Sequence, residues 1–104
     1  MNIEISIPHG SYPASIRDSV TARLSELDRF DVRTQHLRAI LDKDNSDHRV
    51  ELIATPHHGP VLVVDSKSNS MGKALDDAVH KMGRALRRRR EKRIDLERHR
   101  SEAG

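Results

Sequence analysis

The chain has 104 residues, of which 19 are Lys or Arg and 16 Asp or Glu, for a formal charge of +3; it has one Tyr, one Phe, no Trp and no Cys. A chain of this length makes a single domain that buries about 65% of its unfolded surface. The missing cysteines exclude disulfides, thiolate nucleophiles and Cys-ligated zinc, and two aromatic rings are too few for the platforms on which single-strand binders stack bases.

Ile3, Ile5 and Ile7 alternate with Glu4 and Ser6, the period of two that marks a half-buried strand, and Pro8, His9 and Gly10 end it. Pro13 suits the first position of a helix, with Ser11 or Tyr12 near the cap. Ile16, Val20, Leu24 and Leu27 recur at four, four and three residues, giving one apolar face opposite Arg17, Asp18, Arg23 and Glu26. From Gln35 to Lys43, Leu37, Ala39 and Leu41 alternate with polar neighbours as a second strand. The polar cluster 44–47 turns the chain back, so that His48 to Thr55, carrying Val50, Leu52 and Ala54, pairs antiparallel with it. After a turn over 56–60, Val61 to Val64 predicts a fourth strand, buried on one face and partly covered on the other, ending near Ser66. Ser66 to Ser70 offers caps for a second helix that starts at Met71, where Leu75, Ala78, Val79, Met82 and Leu86 share one direction. The next positions in that direction are Arg89 and Arg93, so the seam is expected to fail there and the helix to run past the core into solvent.

The order β-α-β-β-β-α has a long connection only between its first two strands, which implies a right-handed crossover followed by a meander. The expected fold is α+β, a two-layer sandwich over residues 1–93 with two helices on one face of a four-stranded sheet, a layout similar to that of double-stranded RNA-binding domains. Residues 94–104 read as a basic, frayed tail. No apolar run approaches the roughly 18 residues of a membrane span, and the amino terminus has no leader pattern, so the expectation is a soluble, cytoplasmic protein with no membrane partner.

Charge is segregated along the chain. Residues 1–83 hold ten Lys or Arg against twelve acids, whereas residues 84–104 hold nine against four. A basic end on an otherwise slightly acidic domain is a local device for a polyanion. Arg suits phosphate, because its planar fork donates bidentately and stays charged. On the wheel of the second helix, Lys73, Arg84, Arg87 and Arg88 lie opposite the apolar stripe, flanked by Lys81 and Lys92. With Arg23 of the first helix and the run through Arg89 and Arg90, these are the candidate nucleic-acid contacts. Arg87 to Arg90 place four like charges in succession, a repulsion that favourable interaction with the helix dipole does not offset at every site.

Other constellations carry less. Asp76 and His80 are four apart, but two ligands do not make a metal site. His57 and His58 sit in a turn without a partner, and no nucleophile elbow, phosphate loop or HExxH motif occurs. The expectation is therefore no enzyme, no metal, no cofactor and no small-molecule substrate. Gly72 and Gly83 interrupt the helical pattern, where each costs about 1 kcal/mol relative to Ala, and permit either close approach or simple tolerance.

The segment from Ser70 to Leu86, Ser-Met-Gly-Lys-Ala-Leu-Asp-Asp-Ala-Val-His-Lys-Met-Gly-Arg-Ala-Leu, followed by a Lys/Arg-rich run, resembles the last helix of the ribosome hibernation promoting factors and ribosome-associated inhibitors, the sigma-factor modulation family, in its short form. The opening Met1-Asn2-Ile3-Glu4-Ile5, the helix from Ser15 to Phe30 and Val50-Glu51 are similar too, so the resemblance covers residues 1 to about 92. Gly72, Ser70 and Ala85 depart from it, standing where the family usually has Tyr, Asp and Gln. The resemblance implies a stress factor whose partners are the small (30S) ribosomal subunit and its 16S rRNA. It implies a factor that occupies the channel of messenger and transfer RNA and stops translation by steric competition. It also implies a chain without the C-terminal dimerisation domain of longer members. The alternatives are a general double-stranded RNA-binding module, and an interaction module for an acidic protein partner or a sigma factor.

Overall fold

The computed structural model describes residues 1–9, 12–31 and 33–103, and of 101–103 the backbone alone. Gly10 of the first turn, the cap candidate Ser11 and the last residue, Gly104, lie outside the described residues. The elements are β1 (Asn2–Ser6), α1 (Ser15–Ser25), a 3₁₀ turn (Glu26–Arg29), β2 (Thr34–Asp44), β3 (Asp47–Pro56), β4 (Leu62–Ser68) and α2 (Met71–Ala103). They form an α+β fold with the order β-α-β-β-β-α. The sheet runs β1-β2-β3-β4, with β1 parallel to β2 and the other pairs antiparallel. A parallel pair needs a crossover, which α1 supplies; the other strands follow as a meander.

Alternation sets which face is covered. Leu37, Ala39 and Leu41 of β2 and Val50, Leu52 and Ala54 of β3 are fully buried under Val20, Leu24 and Leu27 from the first helical segment and Ala74, Ala78, Met82 and Leu86 from α2. Full burial of each large aliphatic side chain contributes about 1.5–3 kcal/mol, so these residues supply most of the driving force. The two-residue reversal between β2 and β3 places Asn45 at φ 57°, a left-handed conformation that Asn tolerates better than most residues. Gly59, at φ 99°, turns the chain between β3 and β4 where a side chain would be strained.

The structure corrects the sequence reading in four places. Pro13 precedes the helix instead of opening it: Ala14 is the cap residue, and the Pro13 carbonyl accepts from the Ile16 N–H at 3.0 Å. The helical segment does not continue to Phe30 as one α-helix; after Ser25 it tightens into the 3₁₀ turn, which buries Leu27. Strand β4 starts at Leu62 and runs on to Ser68, and its outer face is open, with Val63 57% exposed and Val61, just before the strand, 48%. Finally, the apolar seam of α2 ends at Leu86 as expected, but Arg89 and Arg93 beyond it do not turn to solvent: both are half-buried and bonded to the body of the domain.

Candidate nucleic-acid interface

Helix α2 opens on a built cap: Ser70 Oγ accepts from the Lys73 N–H at 3.1 Å, and the Ser70 carbonyl accepts from the Ala74 N–H. At about 1.5 Å per residue its 33 residues span roughly 50 Å, so the helix overhangs the sheet it covers. Cations accumulate in the overhanging half, where the dipole favours them. Lys73, Lys81, Arg84, Arg87, Arg88, Arg90 and Lys92 are all exposed on this one element.

Four of the basic side chains in or beside this set are already engaged. Lys81 Nζ donates to the Asp65 carbonyl at 2.8 Å, and Arg89 donates to the Pro60 carbonyl, so two cations of α2 clip it to β4 and the loop before it. Arg17 of α1 does the same at the opposite edge, donating to the Ile5 carbonyl of β1 at 2.8 Å. Long basic side chains over both edge strands protect groups that otherwise invite pairing with another chain. Arg89 Nη1 is buried without a hydrogen-bond partner, so Arg89 faces inward while its neighbours face solvent. Arg23 bridges Asp76 at 2.8 Å and Glu26 at 2.5 Å; the Asp76 hydrogen bond leads in raising the Arg23 pKa above its ordinary value. Asp76 thus serves to join α1 to α2.

The remaining cations have no such partner. Among the described residues, Lys73, Arg84, Arg88, Arg90 and Lys92 have no ion pair with a carboxylate. Arg84 and Arg87 also border a cleft of about 260 Å³ between the 3₁₀ turn and α2, which takes in Arg23, Arg29, Phe30 and His80. Phe30 seats its ring on α2 at Gly83, where an added Cβ would lie 3.3 Å from Cε2. The Arg29 and Arg87 guanidinium carbons lie 4.9 and 5.3 Å from the ring centroid, within cation–π range. The sequence reading missed Arg29 and Phe30. The signal present was the adjacency of a basic residue and the chain's one phenylalanine at the end of the first helix; their meeting with Gly83 is a tertiary fact with no local trace.

On the far side of the sheet charges are paired with one another instead. Arg49 forks onto Asp65, Nε to Oδ1 at 3.0 Å and Nη2 to Oδ2 at 2.8 Å, and this hydrogen bonding holds the Asp65 carboxyl below its usual range. The His9 hydrogen bond does the same for Asp42. The molecule therefore has a basic helical layer and a sheet surface of mixed, internally paired charge. Among the described residues no helix is long and apolar enough to cross a membrane.

Residues 3–94 match the family described as "Sigma 54 modulation protein / S30EA ribosomal protein". Among solved structures, the Thermus thermophilus Protein Y N-terminal domain is similar over 85% of this chain and 98% of its own, with a TM-score of 0.74 and 23% identity. A ribosomal subunit interface protein from Coxiella burnetii matches over 88% and 99%, with a TM-score of 0.79 and 15% identity. At such identities the likeness is one of fold. No curated protein sequence matches the chain.

Proposed function

The chain belongs to the Sigma 54 modulation protein / S30EA ribosomal protein family, and on that premise we propose that it binds the ribosome and holds translation idle. The target is the small subunit and its 16S rRNA, in the channel otherwise filled by messenger and transfer RNA, and inhibition is steric exclusion in the cytoplasm with no bond made or broken. The observation that carries this reading is the set of outward cations on α2 without acidic partners among the described residues, Arg84 and Arg88 foremost. Unpaired guanidinium groups on a rigid helix suit phosphate oxygens, and the ridge from Lys73 to Lys92, roughly 30 Å long, reaches several of them at once. Lys73, Arg87, Arg90 and Lys92 extend the set, whereas Arg23, Lys81 and Arg89, first candidates by charge, are engaged in holding the fold and stand outside it.

Phosphate-dominated binding predicts a steep salt dependence. Each neutralised phosphate adds about −0.7 to −0.9 to the slope of log K against log salt, so with four to six neutralised phosphates the affinity falls by about two to three decades between 50 and 200 mM. Co-sedimentation of the protein with purified small subunits across that range tests it. Retention that is insensitive to salt removes the phosphate reading. Equal affinity for a free RNA duplex points to a general double-stranded RNA module, and failure to bind any ribosomal species points to an acidic protein partner.

A further inference from the structure

We infer that the cleft between the 3₁₀ turn and α2 is a seat for one unpaired nucleotide, its base stacked in the Arg29–Phe30–Arg87 cluster and its phosphate held by Arg84. The inference rests on RNA being the partner of this face and names which part of the RNA enters here.

The duplex backbone offers only phosphates and sugars to a basic ridge, and an apolar floor does nothing for them. This cleft has such a floor. Phe30 and Val79 border it together with Arg29, Arg84 and Arg87, so an aromatic ring and an aliphatic side chain lie beside three guanidinium groups. Its volume, about 260 Å³, lies just below the roughly 300–1,000 Å³ of pockets for drug-sized ligands, which limits it to a single nucleotide-sized unit. The ring is held against α2 at Gly83, and Arg29 and Arg87 lie within 5.3 Å of its centroid. Guanidinium planes fixed in this way accept a base on their free side, as aromatic rings do. Arg23, also at the cleft, is neutralised by Asp76 and Glu26, whereas Arg84 has no carboxylate partner among the described residues, so the unspent charge for a phosphate sits at Arg84. The chain has too few aromatic residues for an extended stacking surface, yet it has this one stacking position.

Phe30 is the only phenylalanine, so a 4-fluorophenylalanine label gives one resonance, placed at this cleft. The probes are a tri-adenylate, the same trinucleotide with its central base removed, and inorganic phosphate. The expected result is a fluorine shift with the intact trinucleotide, little shift with the other two, and at least fivefold tighter binding of the intact strand than of its abasic analogue. Arg29→Gln, an exposed change, brings that ratio toward one. Equal binding of the intact and abasic strands with equal fluorine shifts overturns the inference and leaves a phosphate site. Ribosome co-sedimentation run on the labelled protein separates the two readings. Pelleting without a base-dependent shift removes the nucleotide seat and keeps the ribosome, and a base-dependent shift without pelleting does the reverse.

Discussion

Arg93 of α2 closes on the carboxylate of Asp31, 62 residues earlier in the chain, with Nη2 3.2 Å from Oδ1 and Nη1 3.3 Å from Oδ2. Asp31 has 1% of its side chain exposed and also accepts the Arg33 N–H at 3.1 Å. The overhanging half of α2 is thereby tied to the loop that enters β2, and the outward cations beyond Leu86 are presented on a fixed axis.

Removing Arg93 strands a buried carboxylate. Breaking a fully buried pair in this way costs about 3–5 kcal/mol; with 25% of the Arg93 side chain exposed, Arg93→Ala is expected to cost less, on the order of 2 kcal/mol. Urea denaturation measures it, and a double variant with Asp31→Asn recovers part of the loss. A destabilisation below about 0.5 kcal/mol, the level of ordinary surface changes, shows that the pair holds nothing.

The two helical glycines differ in surroundings, and so in prediction. Gly72 meets only Ser70 Oγ at 4.0 Å, so Gly72→Ala gains about 0.5 kcal/mol from helix propensity. At Gly83 the new methyl group presses on Phe30 at 3.3 Å, which offsets the gain of about 1 kcal/mol and leaves Gly83→Ala within about 0.5 kcal/mol of the parent. Paired melting curves decide it; a full propensity gain at Gly83 means that the ring does not pack there.

The Asp65 carboxyl, lowered chiefly by its hydrogen bonds to Arg49, contributes an acid-sensitive increment to stability. Its folded pKa lies below its unfolded value, so the contribution is complete above the usual carboxylate range and is lost as pH falls through the lowered value. The pair is about half exposed, 51% and 48%, and the increment is correspondingly small and salt-sensitive. Asp65→Asn is expected to lower the urea midpoint slightly at pH 7 and by less at about pH 3, below the usual carboxylate range. An equal difference at both pH values assigns the effect to something other than charge.

Most of the fold was legible because burial obeys period. Leu37, Ala39 and Leu41 in β2, and Leu75, Ala78, Val79, Met82 and Leu86 in α2, are all buried. What escaped was tertiary pairing of polar groups. Arg89 and Arg93 read as solvent-facing because a helical wheel registers charge but not partners 29 and 62 residues away. Lys81, legible as one more cation, turns out to cap an edge-strand carbonyl, and Arg23 spends its charge on Asp76. Val63 reads as covered because β-branched runs usually are, yet the sheet has helices on one face alone. The stacking cluster left only the adjacency of Arg29 and Phe30 in the sequence, since Phe30 and Gly83 are brought together by the packing of the 3₁₀ turn on α2.

Charge reversal at Arg84 and Arg88 probes the basic ridge most directly. Both are exposed and have no carboxylate partner among the described residues, so Arg84→Glu/Arg88→Glu leaves the buried stripe intact. Surface changes move stability by about 0.5 kcal/mol or less each, whereas removing a charge-assisted hydrogen bond to phosphate weakens binding by about 1.5–3 kcal/mol. Small-subunit co-sedimentation and cell-free translation, with Arg23→Gln and Lys81→Gln as comparisons, read the outcome. The double variant is expected to melt like the parent, to bind at least a hundredfold more weakly (about 2.7 kcal/mol) and no longer to arrest translation, while the comparison variants change far less. If it melts like the parent and still arrests translation at the same concentration, the outward cations of α2 are merely solvated and the ribosome is not held through them.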